Sequence, residues 1–160
     1  MTPETIAIVK STAPLLKERG LEIVLRMYEI AFEQRPDLRR FFGNSWMQNP
    51  EAGMVQAKRL AASVHAYASH IDDLGQLSQA VEHIAKSHVR SKIVAEMYPL
   101  IGGCLLTAMK DILGEAATAD VLQAWEEAYN ALADILIKRE GEMYREQDGE
   151  LFDVGASRSA

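Results

Sequence analysis

The chain has 160 residues, of which 48% are hydrophobic and 25% are charged, a balance typical of one globular domain with a substantial core. The formal net charge of −6 argues against a nucleic-acid-binding protein, because contacts to phosphates need clustered lysine and arginine. Cys104 is the only cysteine, so an internal disulfide is excluded.

The chain shows no targeting or membrane-spanning pattern. The N-terminal sequence MTPETIAIVK lacks the basic region and apolar run of a signal peptide. No apolar stretch is long enough to cross a bilayer, so we expect a soluble, cytoplasmic protein without membrane insertion. Strand-like alternation is absent, and every periodic stretch has helical spacing. The sequence therefore predicts an all-α domain of six to eight helices.

The first two helices are predicted from their capping residues and apolar stripes. Residues 2–4, Thr-Pro-Glu, combine a hydroxyl cap, a proline at the first position and an acid in the first turn. Pro14 is expected to kink or shorten this helix, and Gly20 is a candidate end. The second helix carries Tyr28 on its buried stripe, where a tyrosine hydroxyl usually finds a hydrogen-bond partner.

A second start signal precedes the next long helix. After a short helical segment around Pro36, residues 43–49 are the least regular interior stretch and are predicted to form a loop. Residues 49–51, Asn-Pro-Glu, then repeat the capping pattern. On the following helix, Gln56 lies one turn before Leu60 on the same face. Gln56 is either an inward polar group or a boundary residue bonded to backbone or water.

The stretch that ends at His88 has the most distinctive pattern in the chain. An imidazole completes an apolar helical stripe with steps of four, three and four residues: Leu77, Val81, Ile84 and His88. A buried imidazole needs a partner for each ring nitrogen. A core histidine bonded to backbone or water is the commoner interpretation. The alternative is a metal ligand, with iron in a haem as the leading candidate.

The next helix is expected to begin near Pro99. Gly102 and Gly103 would normally weaken it, but paired glycines can also permit the close approach of another helix. Gly114 is its predicted end. Thr118 or Asp120 then caps the last helix.

Glu140 continues the apolar periodicity of that last helix. A carboxyl group on a buried stripe needs a hydrogen bond or an ion pair, unless it lies at the edge of the stripe in water. From Arg145 onward the chain is polar and is expected to fray. We therefore divide the chain into a domain of residues 1–144 and a polar tail of residues 145–160.

Several metal and catalytic patterns are absent from the sequence. His65 and His70 are five residues apart, as are His83 and His88, whereas two ligands on one helical face are four apart. No acid stands three residues before a histidine, as in di-iron bundles. The chain also has no glycine-rich phosphate loop and no nucleophile elbow. One inward histidine without a second protein ligand suits a planar cofactor that supplies its own four nitrogens.

Several segments, taken in order, resemble the bacterial haemoglobins of the flavohaemoglobin type, and specifically the single-domain globins of that group. The likeness covers roughly residues 3–144. Its carriers are the stretch ending in Tyr28, RPDLRRFF, Gln56 with Leu60, IAKSH at His88, MYPLIGGCLL, LGEAATADVLQAWEEAY and Glu140.

The resemblance implies a globin fold, with helices crossing around a haem b, and it assigns roles to particular residues. His88 would be the proximal ligand of the haem iron, and Tyr98 and Glu140 would hold the other nitrogen of its ring. The remaining implied site residues are Tyr28, Gln56 and Leu60 in the distal, ligand-stabilising pocket, Phe42 packed on the haem face, and Ile101 as a further pocket wall.

Four functions are compatible with this pattern. The first is reversible dioxygen binding at a five-coordinate ferrous iron, for oxygen carriage, storage or supply. The second is oxidation of nitric oxide to nitrate with dioxygen, which needs an external reductase because we expect no flavin or nicotinamide domain after Glu140. The others are a haem-based gas sensor and a haem-free protein with an apolar ligand. Expected partners are dioxygen, nitric oxide or another diatomic ligand, and a homodimer is left open.

Overall fold

A computed structural model gives the backbone of residues 1–42 and 50–159 and the side chains of residues 1–41 and 50–149. All regular structure in these ranges is helical, which confirms the all-α class. The predicted loop at residues 43–49 lies outside the described residues. The helices are α1 (Pro3–Ser11), α2 (Ala13–Gln34), α3 (Pro50–Ser69), α4 (Ser78–Arg90), α5 (Met97–Leu113) and α6 (Ala119–Ser159), with short 3₁₀ segments at Pro36–Phe42, Leu74–Leu77 and Gly114–Ala116.

Most predicted helix ends are confirmed by their hydrogen bonds. The Thr2 hydroxyl accepts a hydrogen bond from the backbone N–H three residues later, at 3.1 Å, and so caps α1. The Thr118 hydroxyl does the same for α6 at 3.2 Å, so Thr118 caps that helix rather than Asp120. The chain leaves α5 at Gly114, whose φ of +57° is a conformation that glycine adopts without strain.

The start of α2 confirms the prediction that Pro14 shortens the first helix and corrects the prediction that Gly20 ends it. The chain breaks at Thr12 because Pro14 can stand only in the first turn of a helix, and it does so in α2. Gly20 is not a helix end, since it is buried inside α2. A Cβ atom built on it would lie 3.6 Å from the Cβ of Ala61. This glycine lies where α2 crosses α3, a role that local sequence signals do not distinguish from a helix stop.

The buried side chains form two separate hydrophobic clusters. The large cluster joins α1, α2, α3, α5 and the first turns of α6, and includes Ile23, Tyr28, Met109 and Trp125. The small cluster joins α4, the start of α5 and the middle of α6. Its buried members are Ala85, Val89, Tyr98, Ala133, Leu136 and Met143.

The helix that carries His88 stands apart from the helices of the large cluster. In the fold, α2 packs on both α3 and α5, and α1 packs on α6. Helix α4 packs mainly on α6, and across the described residues it has hardly any contact with α2 or α3. The helices that carry Gln56 and His88 therefore form two walls that do not close on each other.

The last helix is longer than the sequence predicts. It continues through Ser159, although fraying was expected from Arg145 onward. Glutamate, arginine, glutamine and methionine favour helices, so a polar composition alone does not end one. Among the described residues, no helix has the length and apolar character needed to cross a membrane.

Candidate functional site

His88 lies in the last turn of α4, and its ring is partly accessible. The apolar stripe directs this face of α4 towards α6, where Ala85 and Val89 are buried in the small cluster. The His88 side chain keeps 33% of its surface exposed. The ring is therefore accessible enough for a ligand to reach it.

One nitrogen of His88 is held by two side chains from other helices. Its Nδ1 lies 2.8 Å from Oε1 of Glu140 on α6 and 2.9 Å from the hydroxyl of Tyr98 on α5. The Tyr98 hydroxyl donates to the same Glu140 oxygen at 2.7 Å. A proton on Nδ1 satisfies this carboxyl oxygen. That tautomer leaves the lone pair of Nε2 available to a metal.

The partners of His88 are buried much more deeply than its ring. Glu140 is 3% exposed and Tyr98 is 8% exposed. A buried carboxyl group is tolerated when donors satisfy it, and here Nδ1 and the Tyr98 hydroxyl both point at one oxygen. Burial raises the pKa of Tyr98, and the hydrogen bond to Glu140 raises it further. The tyrosine therefore remains a protonated donor to the carboxyl group.

Tyr129 holds Tyr98 in place, and the sequence analysis missed it. The Tyr129 hydroxyl donates to the backbone carbonyl of Tyr98 at 2.7 Å. Its ring lies against Gly102, where an added Cβ would come within 2.7 Å of Cδ1. The prediction that the paired glycines admit another helix is confirmed for Gly102. It is wrong for Gly103, where an added Cβ would meet no atom of another helix within 4 Å.

A second group of predicted site residues lies on α2 and α3. Tyr28 is 3% exposed, stacks on Phe32 with ring centroids 5.7 Å apart and forms a side-chain hydrogen bond with Gln56. Burial raises the pKa of Tyr28 to about 12, although the Gln56 hydrogen bond opposes this. At neutral pH the Tyr28 hydroxyl is therefore a hydrogen-bond donor.

The apolar residues predicted to line the pocket lie at the edge of the large cluster. Leu60 on α3 and Ile101 on α5 are both half-buried and pack against that cluster. Half-burial leaves part of each side chain available to a ligand. Phe42 ends the 3₁₀ segment Pro36–Phe42, but its side chain lies outside the described residues.

The donor set fits a metal that brings most of its own ligands. Across the described residues, no three histidine, cysteine, aspartate or glutamate side chains converge as a metal site. A haem supplies four nitrogens and needs one axial imidazole, which Nε2 of His88 can provide. The separation of α3 from α4 suits a planar group between these helices.

A separate cavity of about 270 Å³ lies between the start of α4 and α6. None of the predicted site residues lines it, so it is distinct from the candidate haem site. Its lining residues are Tyr67, Leu74, Leu77, Ser78, Val81, Glu82, Ile135 and Arg139.

Known proteins similar to this chain include both single-domain and longer proteins. A globin-like protein of Aquifex aeolicus is 43% identical over 144 residues, which are 90% of this chain and 97% of that protein. A flavohemoprotein of Bordetella pertussis is also 43% identical over 90% of this chain. The chain spans only 35% of that flavohemoprotein's length.

Two solved structures share the fold over nearly their whole length. An engineered carbene transferase from Rhodothermus marinus, described as a candidate nitric oxide dioxygenase, has a TM-score of 0.84 and 34% identity, covering 92% of this chain and 99% of that one. A bacterial globin from Campylobacter jejuni has a TM-score of 0.81 and 32% identity, covering 90% and 99% respectively. The sequence profile of the Globin family matches residues 25–136. The protein therefore belongs to the globin family.

Proposed function

We propose that this globin holds haem b through Nε2 of His88 and binds dioxygen reversibly. The observation that carries the proposal is the hydrogen-bonded triangle of His88 Nδ1, Tyr98 and Glu140. When bound, the haem would supply a ferrous iron with an open coordination position for dioxygen or another diatomic gas. The proposed globin domain comprises residues 1–144.

The residues on the His88 side orient the imidazole. Glu140 accepts a hydrogen bond from Nδ1–H at 2.8 Å and thereby favours this tautomer and fixes the direction of Nε2. A hydrogen bond from Nδ1–H to a carboxyl oxygen makes the other nitrogen a more basic ligand. Tyr98 keeps the carboxyl group in position by donating to the same oxygen. These two residues therefore tune the electron donation of His88.

The residues on the opposite wall control the ligand pocket. Tyr28 supplies a protonated hydroxyl, and Gln56 is its hydrogen-bond partner. A donor in this position stabilises a diatomic ligand that accepts negative charge. Leu60 and Ile101 supply apolar walls that exclude water, and we assign Phe42 to packing on the haem face.

The first experiment tests haem binding. Purified protein mixed with hemin should develop a Soret band, and the His88→Ala variant should lose it. His83→Ala is the matched control, because His83 is on the exposed face of the same helix. A wild-type preparation that stays colourless with hemin, or full Soret absorbance in the His88→Ala variant, would overturn the proposal.

The second experiment tests the role of Tyr28 in dioxygen binding. A hydrogen bond to a charged group contributes about 1.5–3 kcal/mol, so Tyr28→Phe should speed dioxygen dissociation about tenfold or more. Stopped-flow displacement of dioxygen by carbon monoxide measures the rate. Tyr67→Phe is the control, since the Tyr67 hydroxyl donates to the backbone of α6. An unchanged rate in Tyr28→Phe would remove this residue from the site.

Nitric oxide dioxygenation is the second candidate function. It is favoured by the buried carboxyl group behind His88 and by similarity to flavohemoproteins and to a candidate nitric oxide dioxygenase. The overall conversion joins nitric oxide and dioxygen into nitrate and takes up one electron, which an external reductase would supply in the cytoplasm. Protein equilibrated with dioxygen should convert nitric oxide to nitrate stoichiometrically and turn ferric. No rapid change to the ferric spectrum would exclude this activity.

A further inference from the structure

Helix α4 has one main neighbouring helix. Within the described residues it packs mainly on α6 and on the 3₁₀ segment Leu74–Leu77 that precedes it, and Tyr98 at the start of α5 also contacts it. An isolated helix of 13 residues is marginal in water. The placement of His88 therefore depends on what fixes α4 to α6.

Three polar contacts join α4, and the residues that directly follow it, to α6. His88 and Glu140 form the central one. On the C-terminal side, the Tyr144 hydroxyl donates to the carbonyl of Ile93 at 2.7 Å. On the N-terminal side, Arg139 binds Glu82. Along the chain, one of these contacts therefore lies before His88, at Glu82, and another lies after it, at Ile93.

The tie between Arg139 and Glu82 has the geometry of a specific ion pair. Nε of Arg139 donates to one Glu82 oxygen at 2.8 Å, and Nη2 donates to the other at 2.9 Å. Two parallel hydrogen bonds fix direction as well as distance. Nη1 also donates to Glu142 at 3.1 Å, and it lies 3.6 Å from Glu146. These contacts with acids on α6 hold the guanidinium in the orientation in which it meets Glu82.

We propose that Arg139 is a positioning residue for His88. It precedes Glu140 directly in α6, so the ion pair with Glu82 sets how α4 lies on α6 at the level where Glu140 meets Nδ1. Loss of the pair would let the first turns of α4 shift, and the distance from Nδ1 to Glu140 would lengthen. The role of His88 as haem ligand rests on the proposed function, but the effect of the Arg139–Glu82 ion pair on α4 can be measured without haem.

The first test is hydrogen exchange of the haem-free protein, comparing wild type with Arg139→Met. The Arg139 and Glu82 side chains are 31% and 37% exposed, so the pair contributes modestly. We expect amides of α4 to exchange roughly twofold to fivefold faster. Arg26→Met is the matched control, because Arg26 is 34% exposed and joins α2 to Asp111 of α5. Unchanged exchange in α4 of Arg139→Met would overturn the proposal.

The second test separates positioning from simple stabilisation, and it uses the haem-loaded ferrous protein. In resonance Raman spectra, Arg139→Met and Glu82→Gln should lower the iron–histidine stretching wavenumber by the same amount. The double variant should shift the band no further than either single variant, because both changes break the Arg139–Glu82 pair and the other acids that Arg139 contacts lie within α6 itself. Arg139→Lys should shift the band less, since lysine keeps the charge but cannot form the paired hydrogen bonds.

Two results of that test would overturn the inference. An unchanged band with faster α4 exchange would make the pair structural only. Unequal shifts in the two single variants would mean that the charge of Arg139 acts on Glu140 directly.

If wild type takes up no hemin, the proposed function fails. The positioning role of Arg139 is then tested by the nitrogen chemical shifts of the His88 ring in the haem-free protein. These shifts should change in Arg139→Met and remain unchanged in Arg26→Met; the opposite result would refute the positioning role.

Discussion

The large and small hydrophobic clusters support the two walls of the candidate site in different ways. Tyr28 lies on α2, which packs along both α3 and α5, and its side chain is buried in the large cluster. His88 is carried by a helix with one main neighbour, and hydrogen bonds that involve Tyr98, Glu140, Tyr144 and Arg139 supplement the packing there. The Tyr28 wall is therefore fixed mainly by apolar burial. The His88 wall depends on polar contacts that each contribute about 1 kcal/mol.

The largest expected difference between the clusters is in the free energy of unfolding that each loses when a methionine is replaced by alanine. Met109 is fully buried in the large cluster, whereas Met143 is 7% exposed in the small one. Met109→Ala should lower the free energy of unfolding by about 2–5 kcal/mol, and Met143→Ala by less than about 2 kcal/mol because its surroundings can collapse. Urea unfolding followed by circular dichroism measures both. Equal losses would show that the two clusters are packed alike.

The paired glycines give a sharper test at the place where the clusters meet. Gly102→Ala puts a Cβ into the Tyr129 ring and should cost about 1–3 kcal/mol of unfolding free energy. It should also displace Tyr98, whose carbonyl accepts from Tyr129. Gly103→Ala meets open space and should stabilise the helix by about 0.5–1 kcal/mol. A neutral Gly102→Ala would contradict the close approach of α5 and α6.

Removing one hydroxyl from each cluster compares their polar contacts. Tyr98→Phe deletes the donor to Glu140 and should cost about 1.5 kcal/mol, since a buried carboxyl group loses a partner. Tyr67→Phe deletes a hydrogen bond to the Ala128 carbonyl and should cost about 1 kcal/mol or less. Only Tyr98→Phe should also alter the iron–histidine band. If both variants left that band unchanged, Tyr98 would have no influence on His88.

The smallest expected effect is the pH dependence of the Arg139–Glu82 ion pair between α6 and α4. The hydrogen bonds from Arg139 hold the pKa of the Glu82 carboxyl below its ordinary value, against a smaller opposing effect of burial. A pKa lowered by folding contributes stability that is complete above the unfolded value, about 4.3 for glutamate, and that is lost as pH falls through the folded value. The stability difference between wild type and Glu82→Gln should therefore stay constant down to about pH 5 and shrink below it.

Urea unfolding of wild type and Glu82→Gln at several pH values measures this difference. Asp72→Asn is a useful reference, because Lys10 lowers the pKa of Asp72 in the same way on a different pair of elements. A Glu82 contribution that is as large at about pH 3.5, below the ordinary glutamate pKa, as at neutral pH would show that the contact does not depend on the charge of Glu82.

The helices of this protein can be predicted from the sequence because helical signals are local. Apolar residues at helical spacing give an all-α chain, and Thr2, Thr118 and Gly114 mark helix ends through contacts with residues a few positions away. The same spacing directed His88 inward. The residues that surround it were available only through the resemblance to globins, since no local pattern connects Glu140 to a histidine 52 positions earlier.

How the helices pack against one another can be seen only in the folded structure. Gly20 reads as a helix stop until α3 is seen to cross it, and Tyr129 reads as a core residue until its hydroxyl reaches Tyr98, 31 positions away. Arg139 and Glu82 are 57 positions apart and look like ordinary surface charges. Such contacts follow from the crossing of whole helices, which depends on the shape of every packed side chain, so spacing along the chain does not predict them.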